Sequence, residues 1–290
     1  MTPEQPTQDS STLDSAAAPA KRVSVVIVSF NRAGLLRRSL AALGDEHQVL
    51  VVDNGSSDGT ALLSDDFPSA RFIRLPKNFG LTKAMNIGFR AADGEYVLFL
   101  HDDTVLSGEG VTKMADFLEE RQDAAAVCPL LVSESGQPSW QVRSLPTPSD
   151  PDPAFIPAAA SLPAADELPA ECVSGAALMF RISFLRAMRH VDERYGNYGS
   201  EIELSAQVRR ASKKLVILGG VTALHEGPLS PMRKGQLAGD RADGTASYLG
   251  KHFGFVSGML HRLKAGLGGL FTFRLGVAAG ALAGEKIDGA

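Results

Sequence analysis

The sequence predicts an α/β chain built on a doubly wound, mostly parallel sheet flanked by helices, and three observations predict it. First, β-branched apolar runs of strand length alternate with segments of helical period between residues 23 and 100. Second, those runs are apolar almost throughout instead of alternating, as in strands covered on both faces. Third, polar motifs follow the strands one after another: Ser29 and Asn31, then Asp53 and Asn54, then Asn78, then Asp102 and Asp103. They therefore collect at the carboxyl edge of the sheet, where such folds bind ligands. A chain of 290 residues with 44% hydrophobic composition can bury a core of this kind.

Residues 1–20 are polar and rich in Pro, Ser and Thr, with no basic segment leading an apolar one. They read as a disordered lead-in, not a signal peptide. The first strand spans 23–30, and Leu35, Leu36, Leu40 and Leu43 then share one side of a helix ended by Gly44. A second strand at 49–52 runs into the turn DNGSSDGT; a helix near 57–66, a strand near 71–75, a helix at 80–91 and a strand at 95–100 follow. That last strand ends in His101-Asp102-Asp103. Two adjacent carboxylates where a strand leaves the core are costly unless a cation, water or a hydrogen-bond network compensates them, so this is a candidate metal and phosphate site. A helix at 109–121 and a strand at 125–132 come next, and 144–171, rich in Pro, Ala, Ser and Asp without a period, reads as a lid or flexible insertion. Strand character returns at 171–180, interrupted by Gly175, and Ser200-Glu201-Ile202-Glu203 opens a helix with Ser200 as N-cap and acids in its first turn.

Composition excludes several functions. No G-x-G-x-x-G follows the first strand and no G-x-x-x-x-G-K-[ST] occurs, which argues against hydride transfer and P-loop hydrolysis. Cys128 and Cys172 have no metal-type spacing and form no disulfide framework, as expected of buried thiols in a reducing compartment. Residues 1–204 carry 17 Lys/Arg against 28 Asp/Glu, a balance of -11, whereas 205–290 carry 12 against 5, a balance of +7. The segment 231–290 is thus a basic, apolar, helical tail. Its most apolar window, 265–284, has Arg274 near its centre, at a cost of about 2.5–3.5 kcal/mol for a true span, so an interfacial helix or a re-entrant pair is expected. Gly250, Gly254 and Gly258, and again Gly276, Gly280 and Gly284, recur every four residues and allow close helix contact within the tail or between copies of the chain. Cations beside Phe-bearing apolar runs suit an anionic membrane surface and not nucleic acid.

The ordered set VSVVIVSFNR, VVDNGSSDGT, NFGLTKAMNIGFRAADGEYVLFLHDDT, VSGAALMFR, DERYGNYGSEIEL and ALHEGPLS resembles the family 2 glycosyltransferases of GT-A fold, in particular a rhamnosyltransferase-like branch, over residues 23–230. The resemblance implies that Ser29, Asn31, Asp53, Asn54, Asn78, Gly80, Asn86 and Asp102 serve the nucleotide sugar, with Gly88 on the same helix. It implies Mg²⁺ or Mn²⁺ on Asp103, with His225 reaching the metal or diphosphate, and Glu201 as the base that deprotonates the acceptor hydroxyl. Gly175, Ala176 and Glu203 fall on the acceptor side. Arg233 and Lys234 follow His225 closely, to neutralise diphosphate or as a solvated basic loop. Two departures stand out: SEIE replaces an E-D-x-D-like helix start, and His101 stands where Asp or Asn is usual, as a surface residue or as a donor favouring Mn²⁺.

The resemblance implies a metal-dependent inverting hexosyltransferase acting in cell-surface polysaccharide synthesis. It would move a sugar, rhamnose in the first instance, from a dTDP- or UDP-linked donor to a lipid-linked glycan, working from the cytoplasm as a peripheral protein on the inner face of the membrane. The rivals are a non-catalytic nucleotide-sugar or glycan-binding protein and a sugar nucleotidyltransferase, for which Ser29-Phe30-Asn31-Arg32 is a poor phosphate loop.

Overall fold

The computed structural model describes residues 21–158, 167–225 and 234–271, with side chains in the last segment from 237 onward. The lead-in, Arg233, the side chain of Lys234, Arg274 and the second glycine series lie outside the described residues. The chain begins β1 (Val23–Ser29), α1 (Ala33–Leu43), β2 (Gln48–Asp53), a 3-10 turn at Gly59–Leu62 running into α2 (Leu63–Asp66), β3 (Ala70–Arg74), α3 (Leu81–Ala91) and β4 (Tyr96–His101). It continues through β5 (Thr104–Val105), α4 (Gly108–Glu120), β6 (Ala124–Val132), β7 (Trp140–Arg143), β8 (Ile156–Pro157), β9 (Glu167–Ala170), β10 (Cys172–Val173), β11 (Ala177–Arg181) and α5 (Ile182–Ala187). Then come α6 (Ser200–Arg210), β12 (Lys214–His225) and a helical pair, α7 (Lys234–Phe253) and α8 (Phe255–Phe271).

The main sheet runs β3-β2-β1-β4-β11-β6-β12-β5, with β9 also on β12. Its first four strands are parallel, β11 lies antiparallel between β4 and β6, and β12 returns parallel to β6. Both faces are covered, as the unbroken apolar strands require. Val25, Ile27, Leu98 and Leu100 pack with Leu36 of α1 and Met114 of α4, while Val26, Val97 and Phe99 pack with Met85 and Phe89 of α3 on the other side. Each such side chain contributes roughly 1.5–3 kcal/mol on full burial. Gly88 belongs to this packing and not to the cleft: a Cβ there would lie 2.3 Å from Val26 Cγ1.

Two expectations change. The stretch 144–171 contains structure, because β8 pairs with β7 and β9 with β12, although neither strand has a hydrophobic period long enough to read. The tail helix α7 is built into the domain: Tyr248 and Leu249 share a buried cluster with Tyr195, Ile202, Ala206, Leu145 and Cys172. Both cysteines are free and buried, as expected.

Candidate active site

The register of the strands assembles the polar motifs. β4 ends level with β1, Val28 facing His101, so Asp102 and Asp103 leave the sheet beside Ser29. β5 then folds back antiparallel on β12, placing Thr104 opposite His225. Residues more than a hundred positions apart thereby converge, and one ligand atom from each of His101, Asp103 and His225 lies within 4.8 Å of the others. Asp103 Oδ1 is 3.5 Å from His225 Nε2 and 3.9 Å from His101 Nδ1.

The two carboxylates divide their tasks. Arg32, at the start of α1, reaches both, with Nη1 2.9 Å from Asp102 Oδ1 and Nη2 2.9 Å from Asp103 Oδ2. Ser29 Oγ donates to the other oxygen of Asp102 at 2.8 Å. Asp102 is thus satisfied within the protein, and burial pushes it up to about 6 against the opposing pull of Arg32 and Ser29. Asp103 keeps Oδ1 buried without a hydrogen bond. An orphaned carboxylate oxygen flanked by two imidazoles is a fitting seat for a divalent cation. Burial lowers His101 to about 4, with His225 and Arg32 adding and Asp103 opposing. Its ring is therefore neutral near pH 7 and has a lone pair to offer. The surface reading of His101 gives way to a place in the cluster.

Beside this cluster the turn after β2 is locked to its neighbours. Asp53 accepts from Ser56 N at 2.9 Å, Asn31 accepts from Ser57 N at 2.8 Å, and Asn54 donates to Asn78 at 2.8 Å while accepting from Phe79 N at 2.9 Å. Gly55, at φ +81, permits this closure, since a Cβ would lie 2.5 Å from the Lys77 carbonyl carbon. Gly80, at φ +82, starts α3, and its carbonyl accepts from Asn54. These residues therefore shape the rim through their backbone. Asn86 does not join them: its side chain donates to Val191 O at 2.8 Å and accepts from Val191 N at 3.1 Å, which ties α3 to the loop before α6.

Gly175 lies where the cluster meets the opposite wall. A Cβ there would be 3.3 Å from Glu201 Cβ and 3.9 Å from His101 Nε2, so a side chain would fill the gap between them. Glu201 sits in the first turn of α6 with 15% of its side chain exposed. The N-cap is Gly199, not Ser200: its φ of +105 and the Tyr195 ring, 2.7 Å from a would-be Cβ, demand glycine. Gly199 N donates to Glu201 Oε2 at 3.1 Å. Burial raises the Glu201 pKa and Arg143, 3.5 Å away, opposes the rise. Arg143 is fully buried, donates to the Tyr198 hydroxyl at 2.7 Å and stacks 4.3 Å from the Phe155 ring centroid.

Two residues expected on the acceptor side are elsewhere. Ala176 is wholly buried and its carbonyl accepts from His101 N, so it supports the cluster through backbone alone. Glu203, 1% exposed, accepts from Tyr195, Gln207, Lys251 and His252 and bolts α7 onto α6. Sequence reading passed over Arg32, Arg143 and Asp240. Arg32 is the cation next to the motif ending β1, and Arg143 is the only Lys or Arg between Arg121 and Arg181, which was the available signal. Asp240 comes from α7, buried against Gly196, and nothing in its local sequence marks it.

Comparison with known proteins gives a consistent picture. The family model Glycosyl transferase family 2 matches residues 24–187. An N-acetylglucosaminyltransferase of Mesorhizobium japonicum is 31% identical over 136 residues, 43% of this chain and 32% of that protein. One from Rhizobium meliloti is 32% identical over 137 residues, with the same coverage. The chain thus spans about a third of the length of these curated relatives. Among solved structures, the mannosyltransferase PcManGT of Pyrobaculum calidifontis, in complex with GDP-Man and Mn²⁺, superposes with TM-score 0.55 at 16% identity, covering 92% of this chain and 77% of that one. S. aureus TarS in complex with UDP-GlcNAc superposes with TM-score 0.57 at 14% identity, covering 79% and 66%. The fold is therefore GT-A-like.

Proposed function

Since the chain belongs to glycosyl transferase family 2, we propose that it transfers a sugar from a nucleoside-diphosphate donor to an acceptor hydroxyl by a single inverting displacement. One observation carries this reading: His101, which clusters with Asp103 and His225, and Glu201 both adjoin the bare Gly175. A cation-binding pole and a buried carboxylate base are the two groups such a reaction needs on opposite sides of the anomeric carbon.

Asp103 and His225, with His101 beside them, would hold Mg²⁺ or Mn²⁺. A cation there supplies Lewis-acid stabilisation of the departing diphosphate. Arg32 bridges Asp102 and Asp103, setting one positive charge against the two carboxyls and leaving Asp103 Oδ1 to face the cation. Glu201 takes the acceptor proton, and its raised pKa makes the carboxylate a stronger base than an exposed one. Arg143 holds that carboxylate from behind. The locked turn of Asp53, Asn54, Asn31 and Asn78 forms the wall for base and ribose.

Rhamnose remains the donor sugar that the sequence resemblance implies, and the activity named for the two relatives adds N-acetylglucosamine. A lipid-linked glycan as acceptor, and a peripheral station on an anionic membrane, are supported by the exposed apolar residues of α8. Among the described residues, no helix is long and apolar enough to cross a membrane. Nucleotide release would be followed with UDP-GlcNAc, dTDP-rhamnose and GDP-mannose, Mn²⁺ and lipid-linked acceptors. Release is expected with one donor and lost in Asp103→Ala and Glu201→Ala. Undiminished turnover in both variants would sink the assignment, and donor binding without transfer would favour a non-catalytic binding protein.

A further inference from the structure

We propose that His101 is a third protein ligand of the cation, and that the resulting site of two imidazoles and one carboxylate selects a first-row transition dication such as Mn²⁺ or Co²⁺ over Mg²⁺. The inference rests on the cluster being the cation pole of the proposed transferase, and it concerns what this chain's own donors can hold.

The carboxylate inventory decides it. Mg²⁺ asks for hard oxygen donors, near-ideal octahedral geometry and one or two carboxylates. Two adjacent aspartates at the end of β4 look able to meet that demand, but three of their four oxygens are committed. Asp102 accepts from Arg32 on one oxygen and from Ser29 on the other, and Asp103 accepts from Arg32 on Oδ2. Only Asp103 Oδ1, buried and without a hydrogen bond, is left to point at the cluster.

The remaining donors are nitrogens. His101 Nδ1 is 3.9 Å from that oxygen and His225 Nε2 is 3.5 Å from it, and the three donor atoms all lie within 4.8 Å of one another. The His101 ring is held there: it meets Phe99 edge-on at 5.4 Å, and its backbone N–H is tied to the Ala176 carbonyl. Its Nε2 faces Gly175, which has no side chain to push the ring away. Imidazole suits the softer transition ions, and a set of two histidines and one carboxylate leaves coordination positions open on the far side for diphosphate oxygens.

The test uses the full chain, wild type and His101→Asn and His101→Asp variants, titrated calorimetrically with MnCl₂, CoCl₂ and MgCl₂, alone and with UDP. Pulsed EPR of the Mn²⁺ form counts directly bound imidazole nitrogens. Wild type is expected to bind Mn²⁺ at least ~10-fold more tightly than Mg²⁺, with two nitrogens coupled. His101→Asn should lose one nitrogen and most of the preference, and His101→Asp should move it toward Mg²⁺. Equal affinity for Mn²⁺ and Mg²⁺, or a single coupled nitrogen in wild type, overturns the proposal. The wild-type nitrogen count stands even where a variant melts early. Two coupled nitrogens without transfer from any sugar nucleotide would remove the transferase reading and leave His101 as a ligand. Transfer that survives chelation, with no ion bound, would do the reverse.

Discussion

Glu201 sits between two opposed influences, burial that raises its pKa and the Arg143 guanidinium that restrains the rise. In the proposed role of base it must be ionised, so kcat should fall as pH drops through that raised value. Removing Arg143 should move this acid limb to higher pH. A pH–rate profile of Arg143→Met against wild type reads the shift, and an unmoved limb would show that Arg143 does not act through Glu201. Glu201→Gln should lower kcat by roughly 10²–10⁴ while leaving UDP binding near wild type, as calorimetry would report. Asp240 carries a second sign that can be worked out. Burial raises it to about 7, with Asp243 and Glu201 adding and the Asn197 and Tyr198 backbone opposing. Its folded value lies above the unfolded one, so stability is complete below about 4 and is lost as pH rises toward 7. Asp240→Asn should therefore melt higher than wild type at pH 8 and no differently at pH 4. What the sequence disclosed at this scale were residues whose neighbours announce them: Asp103 at a strand end and His225 in an ordered motif. Arg32 and Arg143 stayed hidden because each acts on a residue about sixty or seventy positions away, and no local pattern encodes that approach.

At the scale of elements, the alternation of β1 to β4 with their helices was legible because strands buried on both faces must be apolar throughout. Short strands such as β8 and β9 were not, since each borrows its stability from a partner that the local sequence does not name. The role of Glu203 shows the same limit. It occupies a motif position that promised chemistry, yet the packing of α7 turns it into an anchor for Lys251 and His252. Burial works to raise its pKa, but the hydrogen bonds from His252, Gln207 and Lys251 outweigh it and bring the carboxyl to about 2. A folded value below the unfolded one contributes stability above about 4.5 that is lost as pH falls toward 2. Glu203→Ala should accordingly cost about 3 kcal/mol or more, because Lys251 loses its buried ion-pair partner and Tyr195, Gln207 and His252 lose the carboxylate they bond to. Hydrogen exchange should find the loss concentrated in α6 and α7. Protection unchanged in α7 would mean that the apolar contacts of Tyr248 and Leu249 hold the helix unaided.

For the molecule as a whole, the question is what meets the outer side of the tail. α7 and α8 pack closely where Gly250 faces Gly258: a Cβ on Gly258 would lie 3.0 Å from Gly250 Cα and 2.5 Å from the Ala246 carbonyl oxygen. Gly250 and Gly258 thus serve contact within the tail, whereas Gly254, at φ +94 with nothing within 4 Å of a would-be Cβ, turns the chain between the two helices. α7 packs on α6 and the loop before it, and the apolar residues of α8 are left exposed. Phe255, Met259, Leu263, Leu267 and Phe271 recur every fourth position and are 78%, 40%, 46%, 55% and 83% exposed, with Val256, Leu260 and Leu270 beside them. α8 carries Arg262 and Lys264 and no acidic residue. An apolar face with cations and no anions matches the boundary of an anionic bilayer, where buried side chains gain the hydrophobic term and the cations gain about 1 kcal/mol each near the surface. The full chain should co-sediment with vesicles of phosphatidylglycerol and phosphatidylcholine, less with phosphatidylcholine alone, and less at high salt. Leu260→Asp with Leu267→Asp should abolish sedimentation and leave transfer to a short water-soluble acceptor intact, because neither residue touches the cleft. A double variant that still sediments, or one that instead converts a dimer to a monomer in light scattering, would give this face to another partner. In the expected case, the bilayer would set which acceptors reach Glu201, because α7 is tied through Glu203 to α6, the helix that carries this proposed base.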